Sequence, residues 1–180
     1  MGAYAIIAAA GRGTRMGRET PKQYALLGGK PLVAHVLEVF ERCPSVHGVV
    51  LVVVPKSEEY CKGEIVDKYG FKKVANIIPG GEERQDSVFC GLKALPGAEI
   101  VAVHDAVRPF LSLRLLEETI RSAARWGAAA PALPLADTVK FVDGEGFSTG
   151  TADRQRLRVV QTPQVFSYRI LLDSMESAFK

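Results

Sequence analysis

Apolar residues follow two rhythms along this chain, and the rhythms alternate. Tyr4–Ala9 and Val49–Val54 are short, nearly unbroken apolar runs, as expected of strands covered on both faces in a parallel sheet. Between them Leu32, Val36, Val39 and Phe40 recur at helical spacing, which predicts a helix from Pro31 to Arg42, where Cys43 and Pro44 end the pattern. Ser57 reads as the N-cap of a polar helix reaching Tyr69. The same order repeats as a strand over Val74–Ile78, a helix over Arg84–Leu95, a strand over Ile100–His104 and a helix over Leu113–Trp126, stopped by Gly127. Strand and helix in such alternation predict an α/β fold with a Rossmann-like, doubly wound, mostly parallel sheet. Ligands in that fold sit beyond the carboxyl ends of the strands.

After Ala128–Leu133 the rhythm changes. Thr138–Val142, the turn Asp143-Gly144-Glu145-Gly146 and Phe147–Thr151 read as a β-hairpin. A hairpin with little core of its own has to pack on something, so residues 136–157 are expected to form an arm that contacts a second subunit in a homodimer. Val159 and Val160 then lead into Thr162-Pro163, and Ile170, Leu171, Met175 and Phe179 form the apolar face of a last helix. At 180 residues, without internal repeat or linker, the chain reads as one domain spanning 1–180.

Composition narrows the function classes. Lys and Arg number 23 against 20 Asp and Glu, too small an excess for a general nucleic-acid binder. The longest apolar stretch, Gly48–Val54, falls far short of the roughly 20 residues of a membrane span, and the N-terminus does not read as a signal peptide. Cys43, Cys61 and Cys90 are odd in number and widely spaced, which fits buried reduced thiols rather than a disulfide framework or zinc knuckle. The expected setting is the cytoplasm, with no membrane and no nucleic acid as partner.

Three loops that leave strands carry the candidate chemistry. The first reads Ala9-Ala10-Gly11-Arg12-Gly13-Thr14-Arg15-Met16-Gly17. Its glycines allow backbone N–H groups to face phosphate oxygens, and the small residues ahead of it leave room for a base. Met16 stands where a dinucleotide fingerprint needs Gly, and Gly-Lys-Ser/Thr is absent, which weakens both usual glycine-loop readings. Arg12, Arg15 and the lysine of Pro21-Lys22-Gln23 instead suggest a triphosphate clamp; the plain alternative is a turn with solvated arginines. The second loop, Gly80-Gly81-Glu82-Glu83-Arg84-Gln85-Asp86-Ser87, opens a helix whose start and Ser87 could read the polar edge of a base, or Asp86 and Ser87 could only be helix-start residues. The third is His104-Asp105-Ala106-Val107-Arg108-Pro109. Asp105 can hold Mg²⁺ through oxygen while Arg108 grips a phosphate; the alternative is an Asp–Arg ion pair, with His104 a core residue making one hydrogen bond. No nucleophile elbow or zinc-protease helix is present.

Taken together these motifs, with Asp137-Thr138 and Gln161-Thr162-Pro163-Gln164, resemble those of the 2-C-methyl-D-erythritol 4-phosphate cytidylyltransferases of the non-mevalonate isoprenoid pathway, over nearly the whole chain. The resemblance implies transfer of CMP from CTP to methylerythritol phosphate with loss of pyrophosphate. It implies Arg15 and Lys22 as catalytic residues that stabilise charge at the α-phosphate. It implies CTP contacts at Ala9, Ala10, Gly11, Gly13, Gly81, Glu82 and Ser87, with Asp105 near the Mg²⁺. Asp105, Ala106, Arg108, Thr138 and Thr162 would meet the acceptor, and Arg154 would reach across from the partner's arm.

Members of that family continue past the helix ending near Lys180 into segments that hold a further lysine and an aspartate near the metal. The 180 residues printed here lack both segments, and this form is expected to bind nucleotide and turn over poorly. Ribitol-5-phosphate cytidylyltransferases share the loop, the Pro-Lys-Gln and the His-Asp-x-x-Arg-Pro set, and so form the alternative enzyme. A nucleotide-binding module without catalysis is the alternative of another class.

Overall fold

Strand β1, Ala3–Ala9, carries Ala and Ile where a surface strand would alternate with polar residues, and five of its seven positions are buried. In the computed structural model, which describes residues 2–11, 21–95 and 97–179, β1 is the centre of a six-stranded sheet. Helix α1 is Leu32–Arg42, β2 is Val46–Val53, α2 covers 58–69 and β3 is Val74–Pro79. Helix α3 is Arg84–Lys93, β4 is Ile100–Asp105 and α4 is Leu113–Trp126. Sheet order begins β3-β2-β1-β4, all parallel. From β1 the sheet grows first to one side and then to the other. This reversal opens a crevice at the carboxyl ends of β1 and β4.

Neighbouring residues of β1 face opposite layers, as the two-residue period of a strand requires. Ile7 joins a core with Val36 and Phe40 of α1, Ile65 of α2 and Leu116 of α4. Ile6 joins a second core with Val88 and Leu92 of α3. Helix α3 lies so close to β1 that a Cβ on Gly91 would stand 2.6 Å from the Ile6 side chain. Helix α4 begins where the Ser112 hydroxyl accepts the Leu115 amide and ends at Gly127, left-handed at φ 84°.

Several elements depart from the sequence pattern. Cys61–Asp67 of α2 is π-helical; the wide turn lets Cys61, Ile65 and Val66 all reach the core. Ser57 stands at the N-cap of α2 without a side-chain cap bond. Pro31 is the residue before α1 rather than its first. Beyond β4 the sheet turns antiparallel: β5, Ala128–Ala129, pairs with β10, Gln164–Ser167, which pairs with β4. The pattern gave no sign of β10, since four residues, of which only Val165 is fully buried, are too few to show a period. Helix α5, Tyr168–Ala178, follows it and adds Leu171 to the second core.

The arm is longer than the hairpin that the turn residues mark. Strands β7, Lys140–Val142, and β8, Ser148–Thr151, form the expected hairpin, closed where Asp143 accepts the amides of Glu145 and Phe147 at 3.0 and 2.9 Å. Beneath it β6, Ala132–Pro134, pairs with β9, Arg158–Val160. The paired ribbon therefore begins and ends outside 136–157. Among the described residues no helix is long and apolar enough to cross a membrane.

Candidate active site

The carboxyl ends of β1, β3 and β4 surround a cleft of about 410 Å³. Its first wall is the end of β1 with Ala9, Ala10 and Gly11. Gly13 and Arg15, with Arg12, lie outside the described residues. The chain returns to the cleft at Lys22, on a single 3-10 turn, Lys22–Tyr24. That turn is fixed from both sides. Buried Gln23 donates from Nε2 to the Ala9 carbonyl at 2.6 Å. The Tyr24 hydroxyl lies 3.0 Å from the Cys61 thiol of α2, and burial with that thiol beside it raises the phenol's pKa. Lys22 thus leaves a rigid base although its own side chain is half-exposed. Gln23 had no role in the sequence reading; the only hint was its place in Pro21-Lys22-Gln23.

The second wall is the turn from β3 into α3. A capping box joins Glu83 and Asp86, with the Glu83 amide donating to Asp86 at 2.9 Å. The Gly81 amide donates to Ser87 Oγ at 3.2 Å, and the Ser87 hydroxyl donates to the Glu83 carbonyl at 3.1 Å. The glycines are required by crowding. A Cβ on Gly80 would meet Ala10 Cβ at 2.3 Å and Ser87 Oγ at 2.6 Å, and one on Gly81 would meet Asp86 Cβ at 2.3 Å. Gly81, Glu82 and Ser87 all line the cleft.

The third wall is the end of β4. The Asp105 carboxylate accepts Arg84 Nε at 3.0 Å on one oxygen and Arg108 Nε at 2.9 Å on the other. The ion pair weighed from sequence is therefore present, and doubled. Arg108 also donates to the Gln161 side chain. Ala106 is fully buried, with its amide donating to the Ala8 carbonyl at 3.1 Å, so it sets the turn with its backbone.

His104 makes two hydrogen bonds where one was expected. Nε2 lies 3.1 Å from the Arg108 carbonyl and Nδ1 lies 2.9 Å from Thr162 Oγ1. Burial pushes the imidazole pKa down to about 4, against a smaller rise from its contact with the Arg108 carbonyl, and the ring is neutral at physiological pH. Thr162 is itself buried.

The structure thus brings Ala9, Ala10, Gly11, Lys22, Gly81, Glu82, Ser87 and Asp105 to one cleft, with Arg108 and Thr162 tied in through Asp105 and His104. Thr138 and Arg154 stand apart from it on the arm, both exposed; Arg154 donates to the Ala136 carbonyl at 2.9 Å. Among the described residues no group of three or more His, Cys, Asp and Glu is placed to hold a metal ion. Glu82, Glu83 and Asp105 line the cleft but are not grouped around one point, which suits Mg²⁺ carried largely by a ligand's phosphate oxygens and does not suit an all-protein cage.

Comparison with known proteins agrees with this architecture. The family profile described as "2-C-methyl-D-erythritol 4-phosphate cytidylyltransferase" matches residues 3–180. The protein of that name from Pelotomaculum thermopropionicum is 49% identical over 97% of this chain and 74% of its own length. A bifunctional enzyme, IspD/IspF, from Desulforudis audaxviator is also 49% identical, over 93% of this chain, which spans only 43% of that protein. The crystal structure of 4-diphosphocytidyl-2C-methyl-D-erythritol synthase from Anaerococcus prevotii superposes with a TM-score of 0.84 at 32% identity, covering 99% of this chain and 75% of that one. With a profile match over almost every residue and a cleft built from the same loops that carry the motifs, the chain belongs to the 2-C-methyl-D-erythritol 4-phosphate cytidylyltransferase family.

Proposed function

We propose that this chain transfers CMP from CTP to 2-C-methyl-D-erythritol 4-phosphate, giving 4-diphosphocytidyl-2-C-methyl-D-erythritol and pyrophosphate, in the cytoplasm. The observation that carries the reading is the convergence of Lys22, the Gly81–Ser87 turn and the Asp105 carboxylate on one cleft. An acceptor phosphate oxygen forms a bond to the α-phosphorus of CTP, the bond from that phosphorus to the bridging oxygen breaks, and pyrophosphate leaves. Lys22, and Arg15 by family likeness, offset the negative charge that gathers on the α-phosphate oxygens. The backbone of Ala9 to Gly11 and of Gly81 faces the nucleotide. Asp105 would share the hold on Mg²⁺ with the triphosphate, and the ion, when bound, supplies charge neutralisation to the phosphates.

The acceptor pocket is completed, in this reading, by a homodimer. The arm exposes Leu133, Phe141, Val142 and Phe147, apolar surface that a second copy would cover. Thr138 and Arg154 lie on the same arm, away from their own chain's cleft, which suits a role in the partner's site.

Pyrophosphate release by this chain with CTP, Mg²⁺ and methylerythritol phosphate tests the reading, with ribitol 5-phosphate alongside. Release with methylerythritol phosphate alone is expected; release with ribitol 5-phosphate alone would overturn the acceptor assignment. For the dimer, a variant shown to be monomeric by light scattering is expected to keep CTP affinity and lose acceptor affinity. Full acceptor affinity in that monomer would remove the cross-subunit site.

A further inference from the structure

We infer that His104 is a positioning residue for the acceptor. It holds the Thr162 hydroxyl with that hydroxyl's proton committed to the imidazole, so that Thr162 can offer an acceptor molecule only oxygen lone pairs. This rests on the reading of the cleft as a cytidylyltransferase site. The proton order follows from hydrogen-bond chemistry at the two ring nitrogens. Nε2 lies 3.1 Å from the Arg108 backbone carbonyl, which can only accept, so Nε2 carries a hydrogen. His104 is 1% exposed and packs beside the Phe40 ring at 5.6 Å, surroundings that disfavour a charged imidazole. A neutral ring with its hydrogen on Nε2 has only a lone pair on Nδ1, so at 2.9 Å the Thr162 hydroxyl must be the donor.

Two consequences follow for the site. First, the segments assigned to the acceptor, 105–108 at the end of β4 and 161–162 at the foot of the arm, are far apart in sequence and joined at one imidazole. The Arg108 side chain repeats the link from outside through Gln161. Second, a threonine oxygen whose proton is engaged prefers an O–H partner over a phosphate oxygen. Of the groups on a polyol phosphate, Thr162 therefore suits a hydroxyl, and Arg108 is left to meet the phosphate.

Two near-isosteric variants separate the halves of the arrangement. His104→Asn keeps an acceptor oxygen near the place of Nδ1, and His104→Gln keeps a donor near the place of Nε2. Calorimetry on the full chain would measure the affinity for methylerythritol phosphate in the presence of CTP and Mg²⁺, and the affinity for CTP alone. We expect His104→Gln to weaken acceptor binding by on the order of tenfold, His104→Asn to weaken it less, and both to bind CTP as the parent does. Loss of CTP and acceptor affinity in equal measure would reduce His104 to a structural role. Nitrogen-15 shifts of the parent's His104 ring report the tautomer directly, and a protonated Nδ1 overturns the proton order. If the parent binds no acceptor, the reading of the cleft fails and takes this role with it; if the parent binds acceptor and both variants bind it equally well, only the role of His104 is overturned.

Discussion

The cleft and the arm are built in opposite ways. Around the cleft, short turns are held by named partners: Gln23 on the Ala9 carbonyl, Ser87 between Gly81 and Glu83, Asp105 between two arginines. The arm is a narrow ribbon whose larger apolar side chains point outward, with Phe147 69% exposed and Phe141 60%. A nucleotide is recognised by backbone that must not move, so its walls are bonded in place before the ligand arrives. A partner surface can remain open until a second molecule covers it. Changes near the cleft should therefore be felt within one chain, and changes on the arm only in the assembly.

The largest expected effect is chemical. Lys22→Ala or Arg15→Ala should lower kcat by on the order of 10²–10³, with CTP affinity changed far less; pyrophosphate release under saturating CTP measures it, and an unchanged kcat would take that residue out of the charge-stabilising role.

Next comes the pH dependence of stability. His104 stays neutral in the folded chain down to about 4, whereas its ordinary value is 6.5. Between those values the unfolded chain binds more protons, so stability is lost as pH falls through that window, by about 3 kcal/mol from this group. Thermal unfolding of the parent and of His104→Gln from pH 7 to pH 4 should show the variant losing less. Equal losses would mean that other groups carry the slope.

Gly81→Ala should cost about 1–3 kcal/mol and weaken CTP binding, because the new methyl meets Asp86 at the helix start. The smallest effect belongs to the arm: Phe147→Ser should shift monomer stability by no more than about 0.5 kcal/mol. A large loss of stability in a proven monomer would show that the arm packs on its own chain, and would erase the contrast drawn above.

How much of this could be read from residues alone also divides along that line. The parallel half of the sheet was legible because a run such as Val49–Val54 has few alternatives to a buried strand, and Gly127 stops α4 where the pattern ends. The loops at 80–87 and 104–109, and the start of the first loop as far as Gly11, were legible because glycine and charge gather where strands end. The stem of the arm was not, since Ala132–Pro134 and Arg158–Val160 are three exposed residues each and show no alternation. Nor was the second bond of His104, whose partner Thr162 stands 58 positions away. The π-helical turn in α2 was hidden because Cys61, Ile65 and Val66 fit a helical period closely enough to pass as α. For the stem and for His104 the missing information was a contact between distant segments, which local spacing does not encode; for α2 it was a one-residue widening of the turn that the apolar spacing does not resolve.

Gly91 puts the cleft under the control of a residue that never touches it. Helix α3 rests against Ile6 at a distance only a residue without a side chain permits, and the first turn of that same helix supplies Arg84 and Ser87 to the cleft. A single methyl group at Gly91 would lever the helix off the sheet and carry those two groups outward with it. The gauge of the cleft is thus machined two turns away from its mouth, by leaving one carbon atom out.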